Sequence, residues 1–107
     1  MGDRVSIEFK NRDEQSVTLC AHWGGMEFVK FATEYASELI KECGNKRSSP
    51  LDRREPSTVM VDFIRHLAKE LGKKRIESCY YLGATLDDVD NSDNGHYIID
   101  LCGENAP

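Results

Sequence analysis

The sequence has no long hydrophobic run. No stretch approaches the ~20 consecutive apolar residues of a transmembrane helix. The charged start Met1–Arg4 is also not followed by the apolar segment typical of a secretory signal. These absences predict a cytoplasmic location and no membrane partner.

Closely spaced metal-ligand and redox motifs are missing as well. The four cysteines lie far apart in the chain, no C-x-x-C pair occurs, and the three histidines add none of the short spacings that zinc sites use. Each cysteine falls in an apolar segment, so we expect reduced, half-buried thiols that behave as small hydrophobic residues. The cysteines are Cys20, Cys43, Cys79 and Cys102.

Positive charge is also in short supply. The chain has 14 basic against 19 acidic residues and a net charge of -5, which argues against nucleic acid as a partner. With 107 residues, the chain is long enough for one hydrophobic core. We expect residues 1–104 to form a single domain and residues 105–107 a C-terminal tail.

Alternation of polar and apolar residues predicts strands at both ends of the chain. In Arg4–Lys10 the residues Val5, Ile7 and Phe9 share one face, and Ser16–Trp23 resumes the alternation after a polar turn, which predicts a hairpin. β-branched and aromatic residues predict two further strands towards the C-terminus, Ile76–Leu82 and Tyr97–Leu101.

The middle of the sequence has helical periodicity. Apolar residues recur every three to four positions from Met26 to Cys43, and Gly44 suits a helix end. A second helix is predicted from Pro56 to Leu71, followed by Gly72. The polar stretch 45–55 between the helices is expected to be an exposed loop.

Together these elements predict an α+β fold of the order β-β-α-α-β-β. The most economical arrangement is a four-stranded, mainly antiparallel sheet formed from two hairpins, with both helices on one face. The opposite face would be exposed to solvent or would serve as a contact surface.

The acidic stretch 87–95 is a candidate metal site. Asp90, Ser92 and Asn94, followed by Gly95, have the alternate spacing of the first half of a calcium loop, because hard cations bind oxygen ligands. The twelfth position, where a glutamate normally closes the shell, is Leu101. The alternative is a hairpin turn ended by Asn94-Gly95. We expect no cofactor unless this loop binds calcium.

A second candidate site is His22, Trp23, Gly24 and Gly25, where a strand leads into a helix. Free N–H groups at a helix start can bind phosphate or carboxylate, although two glycines also suit a tight turn. His96 would join this site if the second and fourth strands lie side by side. Cys20 and His22 share one side of a strand, but no third orienting group is evident, so we assign no catalytic residues.

Two short elements carry a resemblance to other proteins. His22-Trp23-Gly24-Gly25 follows a strand, and Asp93-Asn94-Gly95-His96-Tyr97-Ile98-Ile99-Asp100 lies near the end. These resemble the HWNG-like and DNGxYxxD-like elements that frame the helical region in a group of small uncharacterised proteins from phages and prokaryotes. Gly24 replaces the asparagine that is frequent there. The resemblance implies a prokaryotic, cytoplasmic origin and no established activity.

We therefore expect a binding or regulatory module rather than an enzyme. It would contact an unidentified protein partner, or a second copy of itself, through the exposed sheet face, with Cys20, His22, Tyr81 and Ile98 as contact residues. The first alternative is a calcium-like cation-binding protein using loop 87–95. The second is a small ligand-binding protein or enzyme centred on His22–Gly25.

Overall fold

The computed structural model describes residues 3–72, 80–85 and 89–102, which form a sheet covered on one face by two helices. The elements in chain order are β1 (Val5–Asn11), β2 (Glu14–Gln15), β3 (Thr18–Ala21), α1 (Gly25–Cys43), α2 (Pro56–Leu71), β4 (Tyr80–Gly83) and β5 (His96–Asp100). The predicted α+β class with its mainly antiparallel sheet is confirmed, with five strands in place of four. Residues 76–79 of the predicted third strand lie outside the described residues.

The fifth strand arises because the predicted second strand is interrupted. In the β1–β2 pairing Lys10 lies opposite Gln15, whereas in the β1–β3 pairing Ile7 lies opposite Leu19. This shift of one residue is a β-bulge at Ser16 and Val17. The hydroxyl of Ser16 accepts the Phe9 N–H at 2.9 Å in place of a backbone carbonyl.

The predicted pairing of the last two strands is wrong. β4 pairs antiparallel with β3, and β5 pairs in parallel with β1, so β4 and β5 lie on opposite sides of the β1–β3 hairpin. Parallel pairing with β1 buries Ile99 and the following Leu101. Shortly before β5, Asp90 contacts Cys20 of β3 and Asn91 contacts Ser6 of β1.

The core lies between the sheet and the two helices. Val5, Ile7 and Phe9 point towards the helices, as the alternation predicts, and are completely buried. Phe63 of α2 contacts the rings of Phe9, Phe28, Phe31 and Tyr35. Neither helix in the described part of the chain has the length and apolarity that a membrane span requires.

The loop between the helices is largely exposed in its first half, but one charged side chain near its end is buried. Arg54 is only 6% exposed, and its Nε donates to the carbonyl of Leu101 at 2.8 Å. The amide of Asn11 donates in turn to the carbonyl of Arg54 at 3.0 Å. The end of this loop is therefore fixed to β1 and to the chain after β5.

Candidate functional site

A row of polar side chains crosses the sheet on the face opposite the helices, which we call the outer face. Ser6 in β1 lies opposite Cys20 in β3 and opposite His96 in β5, and Cys20 lies opposite Tyr81 in β4. Cross-strand neighbours point to the same side of a sheet. Glu8 lies two residues beyond Ser6 on the same side.

Three of these side chains form a hydrogen-bonded chain. Ser6 Oγ lies 2.7 Å from His96 Nδ1, and His96 Nε2 lies 2.7 Å from Glu8 Oε1. The amide of Asn91 donates to the other side of Ser6 Oγ at 2.9 Å. One ring nitrogen of His96 therefore faces the hydroxyl of Ser6, and the other faces the carboxylate of Glu8.

Glu8 is held from both sides. Its second oxygen, Oε2, accepts a hydrogen bond from the side-chain amide of Gln15. Glu8 is 7% exposed, and a carboxylate buried to this degree needs such partners to offset its lost hydration. Both oxygens of Glu8 thus have a hydrogen-bond partner.

The hydrogen-bonded side chains of Ser6, His96 and Glu8 are the groups of a nucleophilic triad, but the serine hydroxyl is not accessible to a substrate. A catalytic serine must reach its substrate. Ser6 is 0% exposed and lies beneath the amide of Asn91. His96 and Glu8, further along these hydrogen bonds, both line an open cleft. The hydrogen bonds therefore fix the position of the Glu8 carboxylate.

One half of the outer face is covered by residues 90–91. Cys20 Sγ donates to the carbonyl of Asp90 at 3.1 Å, and the Asp90 N–H donates to the hydroxyl of Tyr81 at 2.9 Å. A hydrogen bond with Cys20 raises the pKa of Tyr81. Cys20 was predicted to be a contact residue, but it is completely buried because this segment lies over it. Tyr81 and Ile98 remain exposed, at 40% and 53%.

The other half of the outer face contains a cleft of about 490 Å³. Glu8, Thr18 and His96 line its sheet side, and Ile98 supplies an apolar wall. We call this feature the outer cleft; its remaining lining residues are Gln15, Ser16, Ala84 and Thr85.

In the predicted calcium loop the carboxylates contact a basic side chain of the protein itself. Arg4 Nη1 lies 2.6 Å from Asp90 Oδ2, and Arg4 Nε lies 2.9 Å from Asp93 Oδ2. A hydrogen bond from the backbone of Ser92 and the charge of Arg4 lower the pKa of Asp90. Hydrogen bonds from Arg4 lower the pKa of Asp93, with a smaller contribution from His22.

The guanidinium of Arg4 thus lies between two carboxylates of the loop, Asp90 and Asp93. Within residues 3–72, 80–85 and 89–102, no three or more His, Cys, Asp or Glu side chains are grouped as metal ligands. Residues 87 and 88 of the predicted loop lie outside the described part. Cation binding by Asp90, Ser92 and Asn94 stays a prediction.

At the predicted anion site, an acidic side chain of the protein lies at the start of α1. The Gly25 N–H donates to the carbonyl of Asp3 at 2.9 Å, and any side chain at Gly25 would collide with the Asp3 carboxylate. A Cβ at Gly24 would lie 2.7 Å from the Cβ of Phe28 in α1 and 2.8 Å from the Cβ of Ala21 in β3, so Gly24 allows β3 and α1 to approach closely. Ligand binding by His22–Gly25 also stays a prediction.

The two elements that carry the resemblance meet at residues 3 and 4. The N–H of Asp3 donates to the carbonyl of His22 at 2.9 Å, and Asn94 donates to Asp3 Oδ1 at 2.7 Å. His22 and His96, in contrast, are not neighbours, because β1 lies between β3 and β5. Trp23 is 59% exposed and packs edge-on against His22, with ring centroids 5.0 Å apart.

The outer cleft was missed in the sequence because its signal is not local. Ser6 and Glu8 alternate with buried apolar residues and therefore look like ordinary solvent-facing positions of a strand. Only the parallel pairing of β5 with β1 brings His96 between them. No protein-family model, curated protein or solved structure matches this chain.

Proposed function

We propose that this domain is a binding module whose ligand occupies the outer cleft. The observation that carries the proposal is a nearly buried carboxylate, Glu8, which is fixed at the bottom of an open cleft by His96 and Gln15. Ligand sites are typically concave, with a few convergent polar groups beside apolar walls. The cleft volume of about 490 Å³ falls in the range of ~300–1,000 Å³ common for such sites.

Fixed side chains favour binding because little conformational freedom is lost when the ligand arrives. The imidazole of His96 is held at both nitrogens, by Ser6 and by Glu8. Residues 90–91 cover Ser6 and Cys20 and so hold the Ser6 hydroxyl, the hydrogen-bond partner of His96, against the sheet. The exposed Ile98 adds an apolar contact at the rim of the cleft.

The proposal is tested by filling the cleft. Ala84 is exposed and lines the cleft, so Ala84→Phe should occupy it without disturbing the core. Val61 is 69% exposed on α2, on the helical side of the sheet, and Val61→Phe is the matched control. The probes are small amines, alcohols, carboxylates and amides, each titrated into ¹⁵N-labelled protein.

We expect at least one probe to give saturable amide shifts at Thr18, His96 and Ile98. These shifts should disappear in Ala84→Phe and persist in Val61→Phe. If no probe moves these amides at millimolar concentration, or if the shifts survive Ala84→Phe, the outer cleft is not a ligand site.

A further inference from the structure

We infer that the outer cleft takes a ligand that carries a cationic nitrogen, an ammonium or a guanidinium, on a short apolar stem. This inference rests on the proposed function and adds the chemical class of the ligand. It follows from the charge at the bottom of the cleft, from the hydrogen-bonding capacity left there, and from the apolar wall.

The charge in the cleft comes from Glu8. None of the eight lining residues is Lys or Arg. Glu8 is the one acidic residue among them, and His96 contacts its Oε1 while Oε2 faces the amide of Gln15. Lys10 follows on the same strand face but lies opposite Asp100 in β5, which gives its charge an acidic neighbour.

The unused hydrogen-bonding capacity is that of an acceptor. Each carboxylate oxygen has about two lone-pair sites. The imidazole of His96 takes one at Oε1, and the amide of Gln15 takes one at Oε2. The remaining sites can accept N–H donors, and a cationic donor gains most because Glu8 is largely shielded from water.

The apolar wall indicates the rest of the ligand. Ile98 is 53% exposed beside Glu8, and Ala84 lines the same cleft. In β5, Ile98 lies directly opposite Glu8. A cationic head bound to Glu8 would therefore place a chain of a few methylene groups against Ile98, where its apolar surface is removed from water.

The test compares four probes of similar size: n-butylammonium, n-butylguanidinium, 1-butanol and butyrate, all at the same ionic strength. We expect both cations to produce saturable amide shifts at Glu8, Thr18 and Ile98. The alcohol and the carboxylate should bind at least about tenfold more weakly. The ratio between the two cations shows which head group fits better.

Glu8→Gln should weaken the binding of both cations at least about tenfold. Glu38→Gln, an exposed change on α1, is the matched control and should leave their affinity unchanged. The comparison of probes on the wild-type protein keeps the test decisive even if Glu8→Gln disturbs folding.

The outcomes separate the two proposals. If 1-butanol or butyrate binds as well as the cations, with shifts that Ala84→Phe abolishes, the outer cleft is a ligand site but the cationic class is overturned. If none of the four probes shifts the cleft amides, the cationic class is overturned. If the wider set of amines, alcohols, carboxylates and amides also fails, the proposed function falls as well.

Discussion

At the scale of single residues, the outer face is governed by buried polar groups that satisfy one another. Ser6 is the common partner of Asn91 and His96, and His96 is in turn a partner of Glu8. In the described part of the chain, no buried side-chain nitrogen or oxygen lacks a hydrogen-bond partner. Such a network matters for the stability of the fold mainly because the loss of one side chain leaves the buried polar groups of the others without a hydrogen-bond partner.

Ser6→Ala should therefore destabilise the protein by more than its small change in volume suggests. Removing Oγ leaves the amide of Asn91 and Nδ1 of His96 without this partner, at a cost of about 1–3 kcal/mol. Urea unfolding followed by circular dichroism measures the change. Ser37→Ala, an exposed change on α1, should alter the free energy of unfolding by about 0.5 kcal/mol or less. Equal unfolding midpoints for Ser6→Ala and the wild type would contradict the role given to the network.

At the scale of elements, the helices could be predicted well because their signals are local. The predicted α2 begins at Pro56 and ends at Leu71, as observed, and Gly72 adopts the left-handed conformation expected after a helix. The buried face of α1 also includes Phe28 and Tyr35, which pack against α2 and the sheet. Periodicity gives the direction of an apolar face, but the partner elements decide its width.

Phe63 contributes the main aromatic contacts between α2 and the rest of the core. The centroid of its ring lies 5.5 Å from the ring centroid of Phe9 in β1 and 5.2 Å from that of Tyr35 in α1. Phe63→Ala should cost about 3–5 kcal/mol through the cavity it leaves, and Phe63→Leu a smaller amount, on the order of 1–2 kcal/mol. Val61→Ala on the exposed side of α2 should change stability by about 0.5 kcal/mol or less. Urea midpoints give this ranking, and a loss from Val61→Ala as large as that from Phe63→Leu would disprove it.

At the scale of the whole molecule, strand order was the part that sequence patterns could not supply. The alternation of polar and apolar residues predicts that a segment is a strand, but it does not predict which other strand it pairs with. The first hairpin was predictable because a short turn joins its strands. β5 instead pairs with β1, almost the whole length of the chain away. The outer cleft depends on that pairing, so predicting it from sequence would have required the long-range register of β1 and β5.

The same long-range register creates the junction between the N-terminal segment and loop 90–95, where Arg4 bridges Asp90 and Asp93. The pKa of Asp93 is lowered mainly by its hydrogen bond from Arg4. In the unfolded state the pKa of an aspartate is ~3.9. A carboxyl group whose pKa is lower than this in the folded state stabilises the fold at pH values above the unfolded pKa. This contribution is lost as the pH falls through the folded pKa.

Asp93→Asn should therefore lower the urea midpoint at pH 7, and the difference from the wild type should shrink as the pH is lowered towards 3. Both carboxylates at the junction are solvent-exposed, so added salt should also reduce the difference at pH 7. Glu38→Gln, which removes an exposed carboxylate on α1, should leave the midpoint close to that of the wild type throughout the titration. An ionised carboxylate loses its contribution to stability in acid. If the difference in urea midpoint between Asp93→Asn and the wild type stays constant down to pH 3, the charge of Asp93 does not hold the loop to Arg4.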